Sequence, residues 1–249
     1  MITVCIPHLN TPELLEASVR LWKAQTVKPE VWVVDTGSKK PPTEARKFGA
    51  FVCEVPRCTP AHPLEPIAWA CSAAMLRCKT PFVFFTHVDV FPKRRDLLES
   101  FLGWMQATSS AVAGYHTWPR DHWPLDWWRG MVGHSLTMAD ARVLRANGVR
   151  WGYQEAVKKF GVFGERDAKH WDPEMTFNLH LRRAGLPILL LGQEAVHELV
   201  DDEWHVHLKG YPSARRFKGF FPELEKRSEE WRDRFLPEAL ARAEEWESA

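Results

Sequence analysis

Short apolar runs that stop abruptly in polar residues, with helix-patterned segments between them, fill the first third of this chain. Residues 2–6 stop at Pro7-His8-Leu9-Asn10, residues 31–34 at Asp35-Thr36-Gly37-Ser38, and residues 82–85 at Thr86-His87-Val88-Asp89. Residues 51–55 form a further run of the same kind. Between them, Thr11 and Pro12 open a segment with Leu15, Val19 and Trp22 at helical spacing. Pro66 opens another, striped with Ile67, Cys71, Ala74 and Cys78. A cap residue followed by proline suits a helix start, and that spacing puts the apolar residues on one face. Runs that are apolar throughout read as strands buried on both faces. Alternating them with helices gives an α/β fold with a mostly parallel sheet covered on both sides. Such sheets collect ligands at the carboxyl ends of their strands, where these polar strings fall.

The alternation continues through Leu97, Leu98, Phe101, Leu102 and Met105, a helical stripe, and loosens beyond residue 110. Residues 111–115, 134–138 and 188–191 read as strands, and 139–147 as a helix stopped by Gly148. Asp172, Pro173 and Gly185 mark the cap, first turn and end of another helix. Residues 116–130, rich in Trp, Pro, Asp and His, read as a long functional or mobile loop, and 151–171 as a second irregular stretch. From Pro222 onward the chain is charged and helical, with Pro237 expected to divide it. The expectation is one α/β domain over residues 1–220 and a C-terminal helical extension over 221–249.

Composition narrows the classes. A length of 249 residues, 45% hydrophobic and 26% charged, suits a globular core. The net charge of +1 supplies no global field to recruit nucleic acid or membrane. The 5 cysteines lie in the first third and form no Cys-x-x-Cys pair, and the start of the chain is not signal-like. Together these read as reduced thiols in a cytoplasmic protein. No apolar stretch approaches the length of a membrane span. The 13 tryptophans suit sugar or partner surfaces, but core filling accounts for most of them.

Several clusters carry chemistry. Asp35 at a strand end can hydrogen-bond a base or ribose, although Asp-Thr-Gly-Ser is also ordinary turn chemistry. His87 and Asp89 are two apart and project from the same side of an extended chain, where an imidazole and a carboxylate can hold a divalent metal or meet a phosphate. The same string also reads as a plain strand end. Asp172 is explained by capping and by the helix dipole, whereas Glu174 lies deeper and can face a cleft as a general base. His197, His205 and His207 supply further imidazoles. His-Glu-x-x-His, Gly-x-Gly-x-x-Gly and Gly-Lys-Ser/Thr strings are absent from the sequence, which argues against a zinc hydrolase, a dinucleotide enzyme and a P-loop.

In this order the clusters resemble the inverting glycosyltransferases of the GT-A fold, family 2 type. The resemblance rests on Val4-Cys5-Ile6-Pro7-His8-Leu9-Asn10-Thr11-Pro12, Val33-Val34-Asp35-Thr36-Gly37-Ser38, Thr86-His87-Val88-Asp89 and Leu181-Arg182-Arg183-Ala184-Gly185, and spans roughly residues 1–200. It implies a Rossmann-like sheet with a nucleotide-binding half (1–110) and an acceptor-binding half (111–220). It also implies a nucleotide-sugar donor, first of all a UDP-sugar, and an acceptor hydroxyl. Pro7, Asn10, Asp35, Gly37, Ser38, His87 and Asp89 then fall at the donor site. Asp89 takes the last position of the family's Asp-x-Asp motif, and His87 stands where the first Asp would be. Glu174 aligns with the catalytic carboxylate, with Asp172 as the competing candidate. The implied ion is Mg²⁺ or Mn²⁺, and a histidine ligand tips the choice toward Mn²⁺. His197, with His207 as the alternative, completes the sphere.

Other readings stay open at this level. They are a glycosyltransferase acting on modified DNA bases, for which the basic stretch 209–218 is compatible, a nucleotidyltransferase, and a non-catalytic nucleotide-sugar-binding protein on the same fold.

Overall fold

A computed structural model describes residues 1–55, 64–117, 131–154, 171–194, 199–208 and 222–249. The strands are β1 (Ile2–His8), β2 (Glu30–Asp35), β3 (Phe51–Glu54), β4 (Phe82–Thr86), β5 (Val90–Pro92), β6 (Val112–Thr117), β7 (Val132–Asp140), β8 (Ile188–Glu194), β9 (Val200–Asp201) and β10 (His205–His207). The helices are α1 (Pro12–Lys23), α2 (Glu65–Arg77), α3 (Leu97–Thr108), α4 (Ala141–Ala146), α5 (Pro173–Arg183) and α6 (Pro222–Ser248), with a 3₁₀ turn at Thr43–Phe48.

The main sheet has 7 strands in the order β3-β2-β1-β4-β7-β6-β8. β3, β2, β1 and β4 pair in parallel, as do β6 and β8, while β7 runs antiparallel to both of its neighbours. Strand alternation feeds two cores. Val4, Ile6, Val33, Phe84 and Met138 face one side, with α1, α3 and α6 residues such as Trp22, Phe101 and Ala243. Cys5, Val34, Phe85 and Ala139 face the other, with Cys71, Leu144 and Phe177 from α2, α4 and α5. Burial on both faces is why these strands read as unbroken apolar runs. Trp22, Trp151 and Trp171 are fully buried, so core filling does account for part of the tryptophan excess.

A second, 3-stranded antiparallel sheet, β5-β10-β9, was not foreseen from the sequence. Its strands are two or three residues long, too short to leave a periodic trace.

Other departures are local. The expected helix start at 139 moves to Ala141, because β7 runs on to Asp140, whose carboxylate accepts the Arg142 and Val143 N–H groups. Thr11 stands at the α1 cap position, but its hydroxyl makes no capping bond. Pro237 does not divide the C-terminal segment; α6 runs through it. The proline removes one backbone bond, and burial of Phe235, Ala239, Ala243 and Trp246 in the main core carries the helix across. Arg20 of α1 also grips Glu247 through two bonds of 2.9 and 2.7 Å. Among the described residues no helix is long and apolar enough to cross a membrane.

Candidate active site

The carboxyl ends of β1 and β2 lie side by side, with His8 opposite Asp35. Asp35 is 2% exposed, and its carboxylate accepts from the Ser38 hydroxyl, the Ser38 N–H and the Gly37 N–H. His8 Nδ1 stands 3.2 Å from Asp35 Oδ1 and from Ser38 Oγ. The Thr11 N–H donates to His8 Nε2 at 3.3 Å, so Nδ1 carries the hydrogen that faces Asp35. Asn10, at φ 54, ties the loops from the other side: its N–H donates to Ser38 Oγ, and its Oδ1 accepts the Lys39 N–H at 2.8 Å. Gly37 sits at φ 107, where a side chain is strained. Burial alone would raise the Asp35 pKa, but the bonds from His8 and Ser38 outweigh it and hold the group below the ordinary carboxylate range. Of the residues expected at the donor, Asn10, Asp35, Gly37 and Ser38 therefore form one locked pair of loops. Pro7 lies in β1, paired with Val34.

β4 delivers the next group. After Thr86 the chain turns through His87, Val88 and Asp89 into β5, and β10 pairs with β5 so that His207 lies opposite Val90. The Leu208 N–H donates to the Asp89 carbonyl at 3.0 Å, which fixes the register. Asp89 Oδ1 is 3.7 Å from His207 Nε2 and 4.0 Å from His87 Nδ1. Asp89 is 1% exposed and His207 2%. The ligand atoms of all three lie within 4.8 Å of one another. These spacings exceed hydrogen-bond length, and one carboxylate with two imidazoles is a donor set that suits a divalent ion such as Mn²⁺. Among the described residues His207, one of the two expected histidines, reaches Asp89. His197, Lys209–Lys218 and the Trp118–Trp128 segment lie outside the described residues. His205 is turned to other partners: its ring lies against Tyr115, and its Nδ1 is 3.2 Å from Asp202.

α5 delivers the carboxylate. Asp172 caps the helix, accepting the Glu174 N–H at 3.1 Å. One turn on, Asn178 fastens the helix to β7: its Oδ1 accepts the Val132 N–H at 3.0 Å, and its Nδ2 donates to the Val132 carbonyl at 2.8 Å. Glu174 is thereby held, 8% exposed, against His134. Glu174 Oε1 accepts the His134 backbone N–H at 2.9 Å and stands 2.9 Å from His134 Nδ1. Burial would lower the His134 pKa, but the adjoining Glu174 charge and bond outweigh it and carry the imidazole up to about 9. A second triad, His134, Asp172 and Glu174, also has its ligand atoms within 4.8 Å of one another. Its His134 and Glu174 already form an ion pair at 2.9 Å, so the Asp89 triad is the better ion site.

His134 joins the two clusters, since its ring centroid is 4.6 Å from that of His87, which in turn is 5.5 Å from that of His207. It was missed at the level of sequence. β7 runs antiparallel to β4 with Leu136 opposite Thr86, which brings His134 beside the residues after Thr86. Only that pairing reveals it. A histidine opening the strand expected at 134–138 was the available signal.

Neither a protein-family model nor a curated protein matches this chain by sequence. Solved structures do match in fold. TarS 1–349 of S. aureus superposes at TM-score 0.52 with 13% identity, covering 82% of this chain and 59% of that one, so this chain spans under two thirds of it. The mannosyltransferase PcManGT of Pyrobaculum calidifontis, solved with GDP-Man and Mn²⁺, superposes at 0.51 with 17% identity over 98% of this chain and 73% of that one. M. tuberculosis glucosyl-3-phosphoglycerate synthase gives 0.54 and 17% over 78% and 72%. The fold of this chain is the GT-A glycosyltransferase fold, with a mostly parallel sheet.

Proposed function

We propose that the protein is an inverting glycosyltransferase that moves a hexosyl group from a nucleotide-sugar donor to an acceptor hydroxyl with a divalent metal. One observation carries the reading. On a GT-A fold, a carboxylate-and-imidazole triad (His87, Asp89, His207) and a buried carboxylate (Glu174) converge from separate elements and are bridged by His134. The neighbours support it, since PcManGT was solved with GDP-Man and Mn²⁺, and TarS with UDP-GlcNAc.

The donor's nucleoside packs against the loops that Asp35 holds, beside Pro7, Asn10, Gly37 and Ser38. Asp89, His87 and His207 are the groups that would hold Mn²⁺ or Mg²⁺, which when bound supplies charge neutralisation to the leaving diphosphate. Glu174 takes the proton from the acceptor hydroxyl, and the oxygen attacks the anomeric carbon from the face opposite the diphosphate. The carbon–oxygen bond to the diphosphate breaks with its electron pair leaving on the diphosphate, so the configuration inverts. Asp172 is assigned to capping, because its carboxylate accepts the Glu174 N–H. A UDP-sugar is the first donor to try, and a cytoplasmic setting fits the cysteine usage.

The test is to incubate the protein with UDP-glucose, UDP-GlcNAc or GDP-mannose, with Mn²⁺ or EDTA, and to measure release of nucleoside diphosphate. Mn²⁺-dependent release from one donor is expected. Donor binding without release under any condition would reduce the protein to a binder.

A further inference from the structure

We propose that His134 is the positioning residue of the transfer reaction, fixing the carboxylate of Glu174 toward the acceptor hydroxyl. The inference rests on Glu174 being the base.

The side chain of a glutamate in the first turn of a helix is poorly fixed by its own covalent geometry, because its last torsion is broad. A base that must meet a hydroxyl within hydrogen-bond reach needs that freedom removed, and a misplacement of about 1 Å can cost about 10²-fold. His134 removes it with two groups from one residue. Its main-chain N–H donates to Oε1 at 2.9 Å, and its Nδ1 stands 2.9 Å from the same oxygen. The main-chain donor is part of β7, which pairs with β4 from Leu136 onward and with β6 on either side of a bulge. The helix that carries Glu174 is fastened to the same strand by Asn178. The base is thus referenced to the central sheet rather than to a loop, and rigid elements hold sites more tightly than loops do.

Stability alone is a poor reason to keep this pair. Both residues are buried, and buried ion pairs are often no better than apolar residues of the same volume. Position explains it better. The His134 ring lies against His87, two residues before Asp89, so the group that orients the base also sets its distance from the ion site.

The experiment compares E174Q, H134A, H134N and the double variant E174Q/H134A. It measures diphosphate release from UDP-glucose, UDP-GlcNAc and GDP-mannose with Mn²⁺, water standing in for the acceptor. H134A is expected to lower kcat by about 10²-fold with the donor KM unchanged. H134N, whose amide N–H falls near the place of Nδ1, should recover most of that loss. The double variant should be no slower than E174Q, as for residues acting as a unit. Wild-type kcat in H134A overturns the proposal, as does equal loss in H134N and H134A, or full additivity in the double variant. If thermal melting shows H134A unfolded, H134N against H134Q decides, because the glutamine amide falls nearer the place of Nε2. Equal kcat in those two overturns the proposal. Full activity in E174Q overturns the assignment of the base itself, whatever the His134 variants do. No release by the wild-type protein from any of the three donors overturns the transferase reading, and with it this one.

Discussion

The two ends of the candidate site are built on opposite principles. At the β1 and β2 ends, His8, Asn10, Asp35 and Ser38 spend their polar atoms on each other, and the loops are complete without a ligand. At the β4 end, Asp89 stands 3.7 and 4.0 Å from its two histidines, close enough to share an ion and too far to bond directly. The first region is shaped by hydrogen bonds formed on folding. The second gathers His87 and Asp89 from the β4–β5 turn and His207 from β10 at a spacing that suits something added later. The difference predicts where substitutions register. Changes in the locked loops should appear first as lost stability, and changes in the open cluster first as lost chemistry.

The largest effect should come from the side of the site that carries Asp89 and Glu174. E174Q keeps the size of the side chain and removes the proposed base. It should lower turnover of the best donor by about 10²–10⁴-fold, and because it unpairs the buried His134 the melting temperature should fall as well. D89N should cost as much by removing the charge proposed to anchor the ion. Kinetics and melting on the same preparations check both. Should either variant melt well below wild type yet keep its turnover, the contrast between the two regions is wrong.

H207A sharpens the same side. Loss of a proposed ion ligand should raise the Mn²⁺ concentration needed for half-maximal activity by at least about tenfold, the loss that even an outer partner can produce. Titration of diphosphate release against Mn²⁺ measures it. An unchanged Mn²⁺ requirement would assign His207 to packing.

Legibility in the sequence follows local pattern, not that divide. Asp35, Asp89 and Glu174 each follow a strand or start a helix, where local pattern marks the position, so they were readable one at a time. Their partners were not. His134 lies 40 residues from Glu174 and meets it only because β7 pairs with β4 and α5 docks on β7. The choice of His207 rests on β10 pairing with β5, two strands of three residues each, which periodicity cannot register. The α/β alternation was legible because burial on both faces makes each parallel strand a solid apolar run. The course of α6 through Pro237 was not, because the long-range burial of Phe235 and Trp246 overrides a local breaker.

On the locked side, S38A removes a hydroxyl that bridges His8, Asn10 and Asp35. About 1 kcal/mol is expected for a hydrogen bond of this kind, which lowers the melting temperature by about 2–4 °C in a chain of this size. G37A should cost a comparable amount for a different reason. An added Cβ there meets nothing within 4 Å, so the whole cost is backbone strain at φ 107. A melting temperature unchanged in both would mean that the loops are not locked.

The smallest effect is the pH dependence of that lock, and its sign is fixed. The folded pKa of Asp35 lies below the ordinary carboxylate value of 3.8, mainly because the His8 and Ser38 bonds outweigh burial. A group so depressed contributes stability that is present above the unfolded pKa and is lost as the pH falls through the folded one. The stability gap between wild type and D35N should therefore be full near neutral pH and narrow below about pH 4, as protonation removes from the wild type what the variant lacks throughout. Urea unfolding of both proteins across that range measures it. A gap that stays constant with pH would mean that Asp35 holds the loops by shape alone, and the bonds from His8 and Ser38 would then carry no charge-dependent stability.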